Sequence, residues 1–472
     1  MTETYRDKIS TVDEQGKRVW VYPKKPSGPY YKWRKWVSYI LLTLLFTGPF
    51  LKIDGQPVLL INVLERKFII FGQIFWPQDF HLFALALISF MVFIILFTVV
   101  YGRLFCGWVC PQTIFMEMLF RRIEYAIEGD WTAQKKLDRQ PWNREKLVKK
   151  GSKHIIFFAI SFIIANTFLA YIIGSEELLA IVTDPPSAHI GGLSAILIFT
   201  LVFYGVFARF REQVCTTVCP YGRLQGVLLD RKSVVVSYDY KRGEPRGKFR
   251  KKEDRDAVGK GDCIECKQCV QVCPTGIDIR NGTQLECINC TACIDACNDI
   301  MDQVGLPQDL IRYDSEEGIA TEKPSGFRMD TRSVAYSIVL VALIGVMGAL
   351  LFLRSQVETT ILRTPGVMYQ EQEDGRISNL YQYKLVNKTN EPLRITFSLD
   401  DISGGDISFV GNQEVIELPA QGTAEGAMFI LLPRQNIRKV STELSIKVRG
   451  LAEDTITLER VDTRFLGPAN TL

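Results

Sequence analysis

The chain alternates long apolar blocks with strongly charged stretches. A soluble buried helix could explain one such block, but five blocks almost free of charge favour a membrane anchor. Each is close to the ~20 residues that cross a bilayer as a helix, and helices are expected because unpaired backbone groups are costly in lipid. A sixth run, residues 68–76, is too short to span and is expected at the interface. The five blocks are residues 36–51, 80–101, 154–174, 192–210 and 334–353.

Lys and Arg are distributed unevenly among the segments between these blocks. The N-terminal segment, the segment between the second and third blocks, and the segment after the fourth block are basic, whereas residues 175–191 contain no Lys or Arg. Positively charged loops tend to stay in the cytoplasm. The pattern therefore predicts a cytoplasmic N-terminus and places everything after Arg354 outside. The first 35 residues have no apolar core, so no cleavable signal peptide is expected.

Two further stretches have a readable periodicity. Residues 114–127 place Phe115, Met118, Leu119 and Ile123 on one helical face, which predicts either an amphipathic helix on the membrane surface or a helix packed on a neighbour. Residues 356–472 contain short runs of alternating apolar and polar positions between turn signals, which predicts an immunoglobulin-like β-sandwich. The apolar positions of two such runs are Leu393, Ile395, Phe397 and Leu399, and Leu444, Ile446 and Val448.

The composition is rich in cysteine and poor in histidine. The 472 residues carry a net charge of +4 and include twelve cysteines but only three histidines. Paired axial histidines for a transmembrane haem are therefore not expected, and no Walker loop or Rossmann fingerprint is present. Every cysteine belongs to one of four motifs on segments predicted to be cytoplasmic, where reducing conditions disfavour disulfides.

The most specific motif is C-x2-C-x2-C-x3-C, which occurs twice. This is the bacterial ferredoxin spacing, in which the fourth cysteine of each run binds the other [4Fe–4S] cluster. Zinc sites use two CxxC pairs and leave a third cysteine unexplained. Asn298 stands where Pro usually follows the last cysteine, but no ligand is lost. The expected ligands are Cys263, Cys266, Cys269 and Cys297 for cluster 1, and Cys287, Cys290, Cys293 and Cys273 for cluster 2.

The other two motifs are both CxxxCP and follow the second and fourth apolar blocks. Their similar position suggests an internal duplication of a two-helix unit that brings four thiols together. Thiolates are soft ligands suited to Cu(I) and to dithiol redox chemistry. Paired small apolar residues at helix ends are the alternative, which a single motif would favour. The cysteines are Cys106 and Cys110, and Cys215 and Cys219.

These patterns together predict a multi-domain membrane protein: an α-helical transmembrane bundle with a two-cluster ferredoxin-like domain and a C-terminal immunoglobulin-like β-sandwich. The sandwich contains no cysteine, so it is expected to contribute contacts rather than redox chemistry. The predicted segments are a basic cytoplasmic tail (1–35), a four-span membrane domain (36–230), the cytoplasmic cluster domain (231–330), a fifth transmembrane helix (331–355) and a periplasmic sandwich (356–472).

The order of motifs resembles the cytochrome c oxidase accessory family known as CcoG, FixG or RdxA. The resemblance covers nearly the whole chain and rests on FCGWVCPQT (105–113), QVCTTVCPYGR (213–223), YDYKRGEPRG (238–247) and the double cluster motif (263–297). It implies an inner-membrane protein that reduces Cu(II) to Cu(I) for assembly of cbb-type oxidase. Copper would be handled by the four CxxxCP cysteines, with two [4Fe–4S] clusters supplying electrons.

Two other functions remain open at this stage. Membrane quinol dehydrogenases of periplasmic nitrate reductase systems look similar, although they generally lack the extra span and the exported sandwich. The second function is that of a non-enzymatic scaffold whose sandwich binds oxidase subunits. The expected partners are the membrane, the oxidase assembly machinery and copper carriers. No nucleic acid is expected, and the electron donor and any homo-oligomer are left open.

Overall fold

The computed structural model describes most of the chain as two compact units. The first unit comprises residues 1–51, 60–62 and 83–346, and the second comprises 52–59, 63–82 and 347–472. Residues 1–9 of the predicted tail and 324–330 before the last apolar block lie outside the described residues. Those described are 10–13, 15–53, 55–63, 67–76, 79–250, 254–255, 257–323, 331–366, 368–389, 391–399, 404–411, 415–437, 439–451 and 455–468.

Among the described residues, four helices are long and apolar enough to cross a membrane. Most of their apolar side chains face outward, as expected in lipid. Helix Arg144–Ile173 begins where the Asn143 side chain accepts from the Lys146 amide, and it ends at Gly174, whose φ is +91°. The four helices are Phe80–Tyr101, Arg144–Ile173, Ile190–Phe210 and Thr331–Phe352.

The first predicted block belongs to helix Pro29–Thr47, which does not meet the same criteria. Its early turns carry Lys32, Arg34 and Lys35, and its apolar part, residues 36–47, is only about 18 Å long at 1.5 Å per residue. The amides of Tyr30 and Tyr31 donate to the Asp295 carboxylate at 3.1 and 2.8 Å. The helix therefore starts against the cluster domain, and a fifth span remains a prediction.

Residues 114–127 pack inside the helical bundle. Ile114–Phe120 is a π-helical segment followed by Arg121–Ile127. Phe120 lies fully buried between Phe157 and Phe207, with ring centroids 4.7 and 4.5 Å away. Of the two predicted arrangements, the structure has the helix packed on its neighbours.

Short helices and one small sheet build the rest of the first unit. Strands Val235–Tyr238 and Ile311–Asp314 pair antiparallel at the base of the cluster domain. The remaining described helices are Gly48–Phe50, Leu104–Trp108, Pro111–Thr113, Trp131–Arg139, Ser175–Thr183, Val214–Val218, Pro220–Leu228, Tyr240–Gly243, Gln268–Gln271, Ile279–Asn281, Ala292–Val304 and Glu316–Thr321.

The segment before the first helix is held on the cluster domain rather than free. The Ser10 hydroxyl donates to the Thr275 carbonyl at 2.7 Å, and the Lys24 amide donates to the Gln271 carbonyl at 2.7 Å. The side chain of Lys24 also reaches Gln268 at 3.0 Å. The predicted basic tail therefore includes a strap, residues 10–13 and 15–28, that contacts the cluster domain.

The second unit contains an antiparallel sandwich, as predicted. One sheet has the strand order 406–409, 423–433, 376–387, 357–363, and the other 416–418, 393–399, 441–451, 455–466. Leu444, Ile446 and Val448 are all buried in the core between them, so the alternation is confirmed. The strands are Val357–Arg363, Gln370–Glu371, Arg376–Asn387, Leu393–Leu399, Asp406–Phe409, Ile416–Leu418, Thr423–Pro433, Ser441–Leu451 and Thr455–Leu466.

The same unit includes two small hairpins. Lys52–Ile53 pairs with Gln56–Pro57, and Lys67–Ile70 pairs with Gln73–Phe75. The second hairpin is the short run predicted at the interface, and Phe71 at its tip is largely exposed. The multi-domain membrane architecture predicted from the sequence is confirmed.

Candidate iron–sulfur and thiol centre

The two cysteine-rich runs of the cluster domain adopt the same backbone conformation. Glu265 and Lys267 in the first run have φ of +61° and +58°, and Asn289 and Thr291 at the equivalent places in the second have +53° and +63°. Left-handed conformations are uncommon for residues other than glycine and persist where the surroundings demand them. Each run therefore turns tightly so that its first three cysteines face one space.

Each of these spaces is a cavity lined by the cysteines that the spacing assigns to one cluster. One cavity is lined by Cys263, Cys266, Cys269 and Cys297. The other is lined by Cys273, Cys287, Cys290 and Cys293, and Cys269 also reaches it. The fourth cysteine of each run thus crosses to the other cavity. Eight sulfurs in two sets of four, turned inward by repeated loops, fit two [4Fe–4S] clusters.

The cavities differ in burial and in charge. Cys266 is exposed, so the first cavity reaches the surface of the domain. Thiol ionisation does not differ: burial raises the pKa of Cys297 in the first cavity and of Cys287 in the second to about 12, so both would hold neutral thiols unless cations bind. Arg280, which the cysteine spacing does not predict, lines only the first cavity.

The two CxxxCP motifs also share their geometry. Gly102 and Arg211 stand four residues before the first cysteine of their motifs, and their φ values are +56° and +53°. Each membrane helix therefore ends in a left-handed residue, and the chain turns into the motif. Cys110 and Cys219 then precede the prolines of the next helices, with similar extended conformations. The two motifs therefore share these local backbone features, and the duplication of a two-helix unit stays a prediction.

The four CxxxCP thiols lie close enough to affect one another. Burial raises the pKa of Cys106 to about 12, and negative charge on Cys110 or Cys219 adds to the rise. Burial likewise raises the pKa of Cys215 and Cys110, again with contributions from neighbouring thiols. The Cys106 thiol donates to Oε1 of Gln225 at 3.1 Å. Within the described residues, no three His, Cys, Asp or Glu side chains are arranged to hold a single metal ion.

The first CxxxCP motif packs directly on the loop of the second cavity. Cys106 contacts a buried group that includes Ile288 and Cys290. Gly107 approaches the same loop so closely that a Cβ there would lie 2.5 Å from the Ile288 carbonyl oxygen. Trp108 donates to the Tyr313 hydroxyl at 3.2 Å, which in turn donates to a carbonyl of the loop.

Buried ion pairs hold the second motif against helix Arg121–Ile127, and Arg121 of this helix also reaches the cluster domain. Both terminal nitrogens of Arg211 donate to the Glu124 carboxylate at 2.9 Å. Arg121, almost fully buried, donates to Glu212 at 3.2 Å and to the carbonyl of Pro274 at 3.0 Å. Burial alone would raise the pKa of Glu124, but Arg211, Lys153 and Arg121 hold it below its ordinary value. These charges are paired, as buried charges must be.

Comparison with protein families yields three matches. A family model for a 4Fe-4S dicluster domain matches residues 210–316, which include the second CxxxCP motif and all eight cysteines of the cavities. A 4Fe-4S binding domain matches residues 83–134, around the first CxxxCP motif. A family described as the IG-like fold at the C-terminal of FixG matches residues 347–468.

Curated relatives match the chain over most of its length. Protein RdxA of Cereibacter sphaeroides is 36% identical over 88% of this chain and 89% of its own, and Protein RdxB of the same organism is 32% identical over 96% and 97%. Nitrogen fixation protein FixG of Rhizobium meliloti is 30% identical over 94% and 91%. A solved FixG-related protein from Vibrio parahaemolyticus covers 24% of this chain and 97% of its own, with 14% identity and a TM-score of 0.20.

Proposed function

We propose a function from the premise that this chain belongs to the FixG/RdxA family of membrane iron–sulfur redox proteins. Its 4Fe–4S domains make it an electron-transfer protein. The proposal is that the electrons reduce Cu(II) to Cu(I) at the CxxxCP thiols, and that the Cu(I) is used in assembly of a cbb-type oxidase. The observation that carries it is the packing of Cys106 on the loop of the second cavity.

The proposed cluster ligands are the four cysteines assigned to each cavity. Cys263, Cys266, Cys269 and Cys297 would hold one cluster, and Cys273, Cys287, Cys290 and Cys293 the other. When bound, the clusters supply one-electron carriers whose potentials depend on charge, hydrogen bonds and exposure.

The arrangement of these ligands favours one direction of electron flow. Cys266 is exposed, so a donor protein could approach the first cavity. Cys269 lines both cavities, which makes the path between them short. Cys290 of the second cavity and Cys106 belong to one packed group. The sulfur-lined route therefore runs from the surface of the cluster domain to the CxxxCP motif.

The thiol site is suited to the reduced metal. Cu(II) prefers nitrogen and oxygen ligands, whereas Cu(I) prefers sulfur, so a site made of thiols stabilises Cu(I) and favours the one-electron reduction. Burial keeps Cys106 and Cys215 protonated while no cation is bound, and binding of copper would release those protons.

The test uses full-length protein purified without oxygen. The clusters are reduced, excess reductant is removed, and Cu(II) is added in the presence of a chelator that absorbs when it binds Cu(I). About two Cu(I) per chain are expected, one for each cluster electron, with matching reoxidation of the cluster absorbance.

The control variant replaces all four CxxxCP cysteines with serine and leaves the cavities intact. We expect unchanged iron content and loss of the rapid Cu(I) signal. Equal copper reduction by this variant, or reduced clusters that leave Cu(II) untouched in the wild type, would refute the proposal. Rapid cluster reduction by added quinol would instead favour a quinol-linked electron-transfer subunit.

A further inference from the structure

Arg280 is a buried cation in the wall of the first cavity. It lies in the turn Ile279–Asn281 and is only 7% exposed. Its Nε and Nη2 donate to the Asp278 carboxylate at 2.8 and 2.6 Å. Its Nη1 is buried and has no acceptor among the described residues. Because buried N–H groups of a charged side chain are costly to leave unpaired, this nitrogen indicates a missing acceptor in the cavity.

The cavity would supply sulfur as that acceptor. Arg280 lines it together with Cys263, Cys269 and the two other predicted ligands. The hydrogen bonds to Asp278 raise the pKa of Arg280, and charge on Cys269 and Cys263 adds to the rise, so these sulfurs lie within its electrostatic reach. Lys267, which also lines the cavity, is exposed and therefore better screened.

We propose that Arg280 donates Nη1–H to a sulfur of the cluster held in the first cavity and raises the reduction potential of that cluster. The proposal rests on the assignment of this cavity to a [4Fe–4S] cluster. Reduction adds one negative charge, so a buried hydrogen-bonding cation stabilises the reduced form more than the oxidised form. Asp278 offsets part of this effect, because its charge opposes that of Arg280 at the same site.

The second cavity provides an internal reference. Its lining residues are uncharged apart from the cysteines themselves. Arg34 acts electrostatically on Cys290, and Arg103 acts on Cys287. Arg34 donates to the Gly107 carbonyl, and Arg103 donates to the carbonyls of Leu285 and Gly222. Changes at Arg280 should therefore shift the second potential less than the first.

The experiment is a redox titration of the full-length protein, followed by the paramagnetic signals of the reduced clusters. Cys266→Ser alters a ligand of the first cavity and identifies its signal. Arg280→Gln is expected to shift the first potential to more negative values, with iron and sulfide content unchanged. Asp278→Asn is expected to shift it to more positive values, because the Arg280 charge loses its counter-charge. Arg280→Lys should fall between wild type and Arg280→Gln.

Opposite shifts in two neighbouring variants distinguish electrostatic tuning from a structural role. An unchanged first potential in Arg280→Gln with both clusters retained would overturn the proposal, as would equal shifts in both clusters. If the Arg280→Gln protein loses the first cluster, the Asp278→Asn protein provides the test. A positive shift of its first potential supports the proposal, and no shift or a negative shift refutes it. Absence of clusters from the wild type would instead refute the ligand assignment.

Discussion

At the scale of single residues, the contact between the thiol motif and the cluster domain depends on a missing side chain. A Cβ at position 107 would meet the carbonyl oxygen of Ile288 at 2.5 Å and the backbone of Asn289 at 2.8 Å. These neighbours are backbone atoms of a left-handed loop whose cysteines line the second cavity, so they cannot move aside without disturbing that cavity. Gly107 is therefore required for close packing rather than for a special φ.

We expect Gly107→Ala to separate Cys106 from the second cavity. Overpacking of this kind typically costs about 1–3 kcal/mol, which is enough to shift the loop. Copper reduction after pre-reduction of the clusters should slow, with altered paramagnetic signals from the second cluster. Gly151→Ala is the matched control, because nothing lies within 4 Å of a Cβ at position 151. Equal rates in the two variants would show that the contact does not matter.

The raised thiol pKa values predict how copper binding depends on pH. Cys106 has a pKa of about 12, so below that pH the empty site holds a proton that Cu(I) must displace. Affinity for Cu(I) should therefore rise with pH between about 6 and 9, by roughly tenfold per pH unit for each proton released. Competition with a Cu(I) chelator of known affinity measures this slope. A flat profile would mean that the thiols are already ionised or do not bind the metal.

Cysteine spacing predicts which thiols share a cavity better than it predicts the surroundings of the cavities. The cysteine spacing assigned all eight cavity cysteines to two sets, because the spacing itself encodes the local loop. Arg280 and Gly107 carried no such signal. Their roles arise from contacts with segments distant in sequence, such as the loop at Ile288, and a single sequence does not reveal those contacts.

At the scale of elements, the ends of helices Phe80–Tyr101 and Ile190–Phe210 set the direction of the CxxxCP motifs. One helix ends at Gly102, which adopts φ of +56° without strain, and the other at Arg211, which adopts +53°. A residue with a side chain pays about 1–3 kcal/mol for such a conformation. The pairing of Arg211 with Glu124 offsets this cost, because both nitrogens donate in good geometry.

These magnitudes predict the outcome of Arg211→Gly. Relief of strain should stabilise by about 1 kcal/mol, but breaking a buried ion pair typically costs about 3–5 kcal/mol, so net destabilisation is expected. Lys153, 3.6 Å from Glu124, compensates part of the lost charge. The apparent melting temperature in detergent should fall, and adding Glu124→Gln should restore part of it. A variant as stable as wild type would show that the ion pair contributes less than the strain.

Element boundaries were predictable where composition changes sharply. The uncharged run from Phe80 to Tyr101 became one helix with those ends. The helix that begins at Pro29 was harder to delimit, because its first turns are basic and are held by the carboxylate of Asp295, far along the chain. The π-helical turns at Ile114–Phe120 and Val206–Phe210 likewise have no recognised sequence signal.

At the scale of the whole molecule, one apolar helix lies between the cluster domain and the sandwich in the order of the chain. Helix Thr331–Phe352 has no buried residues in its most apolar window, as expected of a lipid-facing span. The basic segments of the chain precede it, so the positive-inside tendency predicts that the cluster domain is cytoplasmic and that the sandwich is on the opposite side of the membrane. This predicted orientation rests on hydropathy and charge alone and uses none of the contacts described above.

Labelling with a membrane-impermeant maleimide tests this topology. The sandwich has no cysteine, and Val410 is exposed on it, so Val410→Cys should react in intact spheroplasts. Arg231→Cys, at an exposed position beside the cluster domain, should react only after the membrane is permeabilised. The wild-type protein gives the background labelling of the native cysteines.

Reaction of Arg231→Cys in intact spheroplasts would place the clusters outside the cell, where reducing power for their proposed role is lacking. Protection of Val410→Cys would mean that helix Thr331–Phe352 does not span, because the sandwich would then share a side with the thiol motifs.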